Sequence, residues 1–150
     1  MTKSSHQQMM LKLPDGAIGI RHACCPNGCN LMDQTTQIHG LPSICVRYLV
    51  DGRSGLAHLD PLYGRFDNMH DWEPPAGTVV EFSCPTCNVS LRSRDESCRI
   101  CSAPMFTIVL TSGQVEGCLR QGCHYHSMTI VDHDALMQRL FVQHQLDAYL

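Results

Sequence analysis

The tightest pattern in this chain is Cys84-Pro-Thr-Cys87, ten residues, then Cys98-Arg-Ile-Cys101. It limits the possible folds more than any apolar stretch does. Two residues between thiols let one tight turn present both sulfurs to the same ion, and four thiolates complete a tetrahedral shell. Ten of the 150 residues are cysteine, so disulfides are the competing reading. A disulfide framework needs an oxidising compartment, and the stretch from Met1 to Gln8 has no apolar segment of the kind that directs secretion. The pairs are therefore read as metal ligands in a reducing cytoplasm. No apolar run approaches the roughly 20 residues that span a bilayer, and no membrane partner is expected.

Hydrophobic residues make up 43% of the chain and aromatic residues 6%, enough for a modest core that bound metal would supplement. The net charge is −3, and lysine occurs only at Lys3 and Lys12. Nonspecific nucleic-acid binders displace counterions with a basic face. Arg92, Arg94 and Arg99 cluster around the cysteine pairs, but Asp95 and Glu96 lie among them.

Local patterns predict short strands and one helix. Residues 1–8 read as a flexible tail. Strands are expected over 17–23, 44–50, 56–59, 78–82, 105–110, 115–118 and 124–131, from β-branched content and alternation between turn residues. Residues 60–77 carry Pro61, Gly64, Pro74, Pro75 and Gly77 and read as an ordered loop, anchored on Trp72. Asp132 can cap a helix whose apolar stripe includes Leu136, Met137, Leu140 and Phe141. The fold class expected is mostly β, with small antiparallel sheets organised by zinc sites and one C-terminal α-helix over 132–150. The parts are a β-rich 9–77 with the first cysteine pair, a metal-bearing 78–131, and that helix, in one unit. No long internal repeat is evident.

Cys84, Cys87, Cys98 and Cys101, with the flanking strands, resemble a zinc ribbon (rubredoxin-like) over residues 78–110 only. The resemblance implies two cysteine turns clamping one ion between hairpins. Such turns usually carry Gly after the second cysteine, where this chain has Asn88 and Ser102. A closed four-thiolate site favours zinc over iron.

A second ion is expected between Cys25-Pro-Asn-Gly-Cys29 and Cys118-Leu-Arg-Gln-Gly-Cys123, since neither pair is complete alone. His126, two residues from His124 and on the same side of a strand, is an alternative fourth ligand. Cys24 and Cys45 read as buried free thiols. His22, His39 and Asp33 could line an open catalytic zinc site. No phosphate loop, nucleophile elbow or His-Glu-x-x-His motif is present, and no catalytic residues are assigned. The function expected is a non-catalytic zinc-binding accessory or adaptor protein that binds another protein or an enzyme. The alternatives are a nucleic-acid-binding zinc ribbon, using Arg92, Arg94, Arg99 and Arg120, and a rubredoxin-like redox protein or zinc enzyme.

Overall fold

A computed structural model describes residues 10–12, 18–111 and 113–130. Strands are β1 (Met10–Lys12), β2 (Ile18–Ile20), β3 (Met32–Ile38), β4 (Leu41–Val50), β5 (Arg53–Leu59), β6 (Met69–His70), β7 (Glu81–Ser83), β8 (Arg92–Ser97), β9 (Pro104–Leu110), β10 (Gly113–Cys118) and β11 (His126–Ile130). All pairings are antiparallel. One sheet runs β3-β4-β5-β6, with β7 also paired to β4, and another runs β11-β10-β9-β8. The alternation of β4 shows why: Ile44, Val46 and Tyr48 are buried, while Cys45 and Arg47 between them are less so. From β9, Ile108 and Leu110 join the same core, with Phe82, Leu91 and Leu119.

The expected fold class is corrected on one point. Among the described residues there is no helix, and every regular element is a strand. The stretch 132–150, where a helix was expected, lies outside the described residues. Two strands appear where the sequence pattern is weak. Met32–Ile38 is largely polar, and Arg92–Ser97 is almost wholly exposed. Both are sheet edges whose backbone is held by β4 and β9, so pairing overrides their poor strand composition.

The hydrogen-bond pattern shows an internal repeat that residue identities conceal. Residues 18–70 and 78–130 follow the same path. Ile20 N–H donates to Pro61 O, and Val80 N–H to Leu119 O, both at 2.8 Å. Leu31 N–H donates to Ala23 O, and Leu91 N–H to Phe82 O. Cys45 N–H donates to Leu31 O, and Thr107 N–H to Leu91 O, both at 2.7 Å. Bridges Gly19–Leu62 and Val79–Arg120 correspond as well.

The repeats are interlocked. The segment leading into Cys25 pairs with β9 through Cys24 and Val109. The segment leading into Cys84 is β7, which pairs with β4 through Ser83 and Arg47. Each repeat thus lends its first segment to the central strand of the other. The loop joining them is anchored on Trp72, whose Nε1–H donates to Ser54 O at 3.1 Å and whose ring lies under Arg53 and against Tyr48.

Candidate metal centres

Eight cysteines gather into two groups of four: Cys25, Cys29, Cys84 and Cys87, and Cys98, Cys101, Cys118 and Cys123. These are the eight expected as ligands, but the pairs have exchanged partners. The sequence reading joined the 84–87 turn to the 98–101 turn, and the 25–29 turn to the 118–123 turn. Between Cys87 and Cys98 the chain forms the six-residue strand β8. Six extended residues span about 20 Å, so turns at its two ends cannot share one ion. The unit over 78–110 is therefore divided between two centres.

The first centre is built from the equivalent turn of each repeat, Cys25–Cys29 from one and Cys84–Cys87 from the other. The second lies wholly within the later repeat, between the β8–β9 turn and the turn after β10. All ten cysteines are free. Sγ atoms of Cys25 and Cys87 are 3.7 Å apart, those of Cys98 and Cys123 3.8 Å, and those of Cys101 and Cys118 3.4 Å. A disulfide needs about 2.05 Å. Ligands at about 2.3 Å from a tetrahedral zinc lie about 3.8 Å from one another. The residues present therefore fit a closed four-thiolate shell for a metal ion in each group.

Backbone geometry prepares the turns. Asn88 and Ser102, each following the second cysteine of a pair, adopt left-handed φ angles of 65° and 64°. They occupy the places where Gly is usual, and Asn takes this conformation more readily than Ser does. Amides aim at the sulfurs: Cys29 N–H donates to Cys25 Sγ at 3.3 Å, Thr86 N–H to Cys84 Sγ at 3.4 Å, Ile100 N–H to Cys98 Sγ at 3.4 Å and Arg120 N–H to Cys118 Sγ at 3.4 Å. Such bonds favour thiolate over thiol and orient the ligand.

The surroundings of the two groups differ. At the first, Asn27 Nδ2–H donates to Cys87 Sγ at 3.5 Å. At the second, the Arg120 guanidinium lies beside the Cys101 thiol, while Nη1 donates to Gly77 O at 2.9 Å and Nε is buried without a hydrogen-bond partner among the described residues. The Cys87 thiol is lowered to about 6, first by the backbone of Val89 and then by Asn27. The Cys101 thiol is lowered to about 6 by the backbone of Ala103 and then by Arg120. Their neighbours move the other way. Cys29 is raised to about 12, chiefly by its bond with Cys87, and burial raises Cys118. Crowded thiols share few charges until a cation arrives, and binding a metal then releases protons.

The described histidines stand outside both groups. His126 Nδ1–H donates to the His124 carbonyl at 2.7 Å, and its ring meets Tyr63 and Phe66 edge-on. His124 stacks on Phe66 at 4.3 Å. His22 is exposed and belongs to no ligand group. His39 lies 2.9 Å from Asp60 and 3.3 Å from Asp67, apart from Asp33. Asp33 lies instead with Cys45 and His58, a grouping the sequence gives no spacing signal for, because its members come from three strands. Cys24 and Cys45 belong to neither thiolate group and are free thiols, as expected, both largely sheltered from solvent.

Comparison with protein-family models, with curated proteins and with solved structures found no match. Among the described residues no helix is long and apolar enough to cross a membrane.

Proposed function

We propose that this protein is a non-catalytic zinc-binding adaptor that carries two structural zinc ions and presents a rigid β surface to another protein in a reducing, cytoplasmic setting. One observation carries the reading: all eight candidate ligands fall into two closed sets of four thiols, and one set spans both repeats. Four thiolates around one ion leave no position for substrate or water, which is the usual form of a structural zinc site. Zinc is favoured over iron on the same ground. Arg120, one of four arginines considered for phosphate contact, is engaged by Gly77 O and lies beside Cys101. Arg92 and Arg94 are exposed on β8 beside Asp95 and Glu96, which works against a continuous basic face. Ile100, 75% exposed at the tip of the second centre, is an apolar contact point suited to a protein partner.

Metal analysis of protein purified under reducing conditions tests the reading, together with affinity capture under the same conditions and an Ile100→Asp control. Two zinc ions per chain and a captured partner lost on Ile100→Asp are the expected results. Visible absorbance that bleaches on reduction would replace the adaptor with an iron redox protein. Binding to duplex or single-stranded DNA that weakens steeply with salt would replace it with the nucleic-acid reading.

A further inference from the structure

The outer face of the first sheet holds a cluster that the two thiolate centres do not use. Antiparallel register places Asp33 of β3 opposite Ser43 of β4, and Cys45 of β4 opposite His58 of β5. Opposed residues share a face, and so do residues two apart along a strand. All four side chains therefore stand together, on the side away from Ile44 and Val46. The candidate ligand atoms of Asp33, Cys45 and His58 lie within 4.8 Å of one another. Thr35 fixes the carboxylate: its N–H and its hydroxyl both donate to Asp33 Oδ1, at 2.9 and 2.6 Å. That leaves Oδ2 facing His58 Nδ1 at 3.6 Å. Ser43 Oγ lies 3.1 Å from the same nitrogen. The side chains of His58 and Asp33 are 14% and 25% exposed, so the cluster is sheltered but reachable.

We propose that Asp33, Cys45 and His58 form a third metal site, open at its fourth position, for a borderline divalent ion of the zinc class. One thiolate, one imidazole and one carboxylate are a mixed donor set that such ions accept, and three protein ligands with a vacancy are the pattern of exchangeable or reactive zinc. Ligands around zinc lie about 3.3–3.8 Å apart, so closing on the ion asks for roughly an ångström of side-chain movement. Thr35, donating twice to the Asp33 carboxylate, supplies the outer-shell support that metal ligands commonly have.

The repeat gives an independent argument. The equivalent positions in the second repeat are Ser93, Met105, Thr107 and Glu116, and Glu116 is turned to Gln114 at 2.5 Å. The fold is therefore complete without this cluster, and its donors are particular to the first repeat. A nucleophilic role for Cys45 fits less well. Burial, and then the nearby charge of Asp33, push its thiol upward, so a ready thiolate is absent until a cation arrives.

Cobalt(II) titration of the zinc-loaded protein tests this, followed by metal counting after gel filtration. A third equivalent is expected, with a thiolate-to-cobalt charge-transfer band weaker than that of a four-thiolate site. Cys45→Ala and His58→Ala should each remove that equivalent while leaving two zinc ions bound; Cys45→Ala should melt as the wild type does, whereas His58→Ala melts lower because buried Ser43 loses its hydrogen-bond partner. Asp33→Asn should weaken it by at least tenfold. If wild-type protein takes up only two ions, or Cys45→Ala still takes three, the site does not exist. Rapid alkylation of Cys45 that slows in His58→Ala, with no third ion bound, would overturn the proposal in favour of a nucleophile.

Discussion

The two repeats follow one path and close the same corner with different chemistry. In the second repeat the corner after β10 holds Cys118, whose sulfur accepts the Arg120 amide at 3.4 Å, and the centre is completed by Cys98, Cys101 and Cys123. In the first repeat Asp60 stands at the matching place, and its Oδ1 accepts the Leu62 amide at 2.9 Å. His39 and Asp67 approach Asp60 where the other repeat has thiols. Gly64 and Gly122, with φ of 86° and 90°, turn the chain alike in both. Two carboxylates with an imidazole thus close in one repeat what four thiols close in the other. The second centre is then a local device of its repeat. The first group has no such substitute, because its four cysteines come from both repeats at once.

The largest effect that can break this comparison is at the shared centre. Cys25→Ser or Cys84→Ser should lose one metal and the cooperative fold of both repeats. Binding of a structural zinc contributes on the order of 10 kcal/mol or more, as large as the whole net stability of a typical domain, about 5–15 kcal/mol, so its loss leaves little to hold the fold. Circular dichroism and metal counting check this, and a variant that keeps both ions and melts normally defeats the assignment.

A smaller effect is expected at the local centre. Cys98→Ser or Cys118→Ser should lose one ion but leave β3, β4 and β5 protected in hydrogen exchange, while amides near β8, the end of β10 and β11 open. Loss of protection throughout would mean that the two centres are not separable.

Smaller again is the metal-free corner. The Asp60 side chain is fully buried, and His39 lies against it. His39→Ala should cost about 1–3 kcal/mol by removing a partner from a buried polar group, with metal content unchanged. A thermal melt beside metal analysis decides it.

Arg120→Ala should weaken metal retention at the second centre by about tenfold and leave the first untouched, as outer-shell changes do. Competition with a chromophoric chelator measures both centres together.

The finest distinction is pH-dependent. In a brief chelator pulse, before the metal-free chain can unfold, Cys87 and Cys101, each lowered to about 6, should be alkylated first at neutral pH, while Cys29, raised to about 12, reacts slowly. Their folded-state values lie below the ordinary thiol value, so the thiolates persist above about 6 and are lost as the pH falls through it. Mass mapping after brief alkylation at pH 7 and pH 5 should show the preference at the first and not at the second.

The sequence by itself marked the eight candidate ligands, because Cys-x-x-Cys and its longer relatives need only a local turn to present two sulfurs. It also marked the strands whose apolar alternation is strong, such as β4 and β9, and the left-handed places at Asn88 and Ser102. It did not determine which turns share an ion. That depends on where polar edge strands such as β8 carry the chain, and an edge strand is held by its neighbour's backbone rather than by its own side chains. The repeat was hidden for the same reason: 18–70 and 78–130 are alike in hydrogen bonds, while Asp60 and Cys118, or Cys45 and Thr107, are chemically unlike. Only the tertiary structure brought Asp33, Cys45 and His58 to one face, since cross-strand register leaves no fixed spacing in the chain.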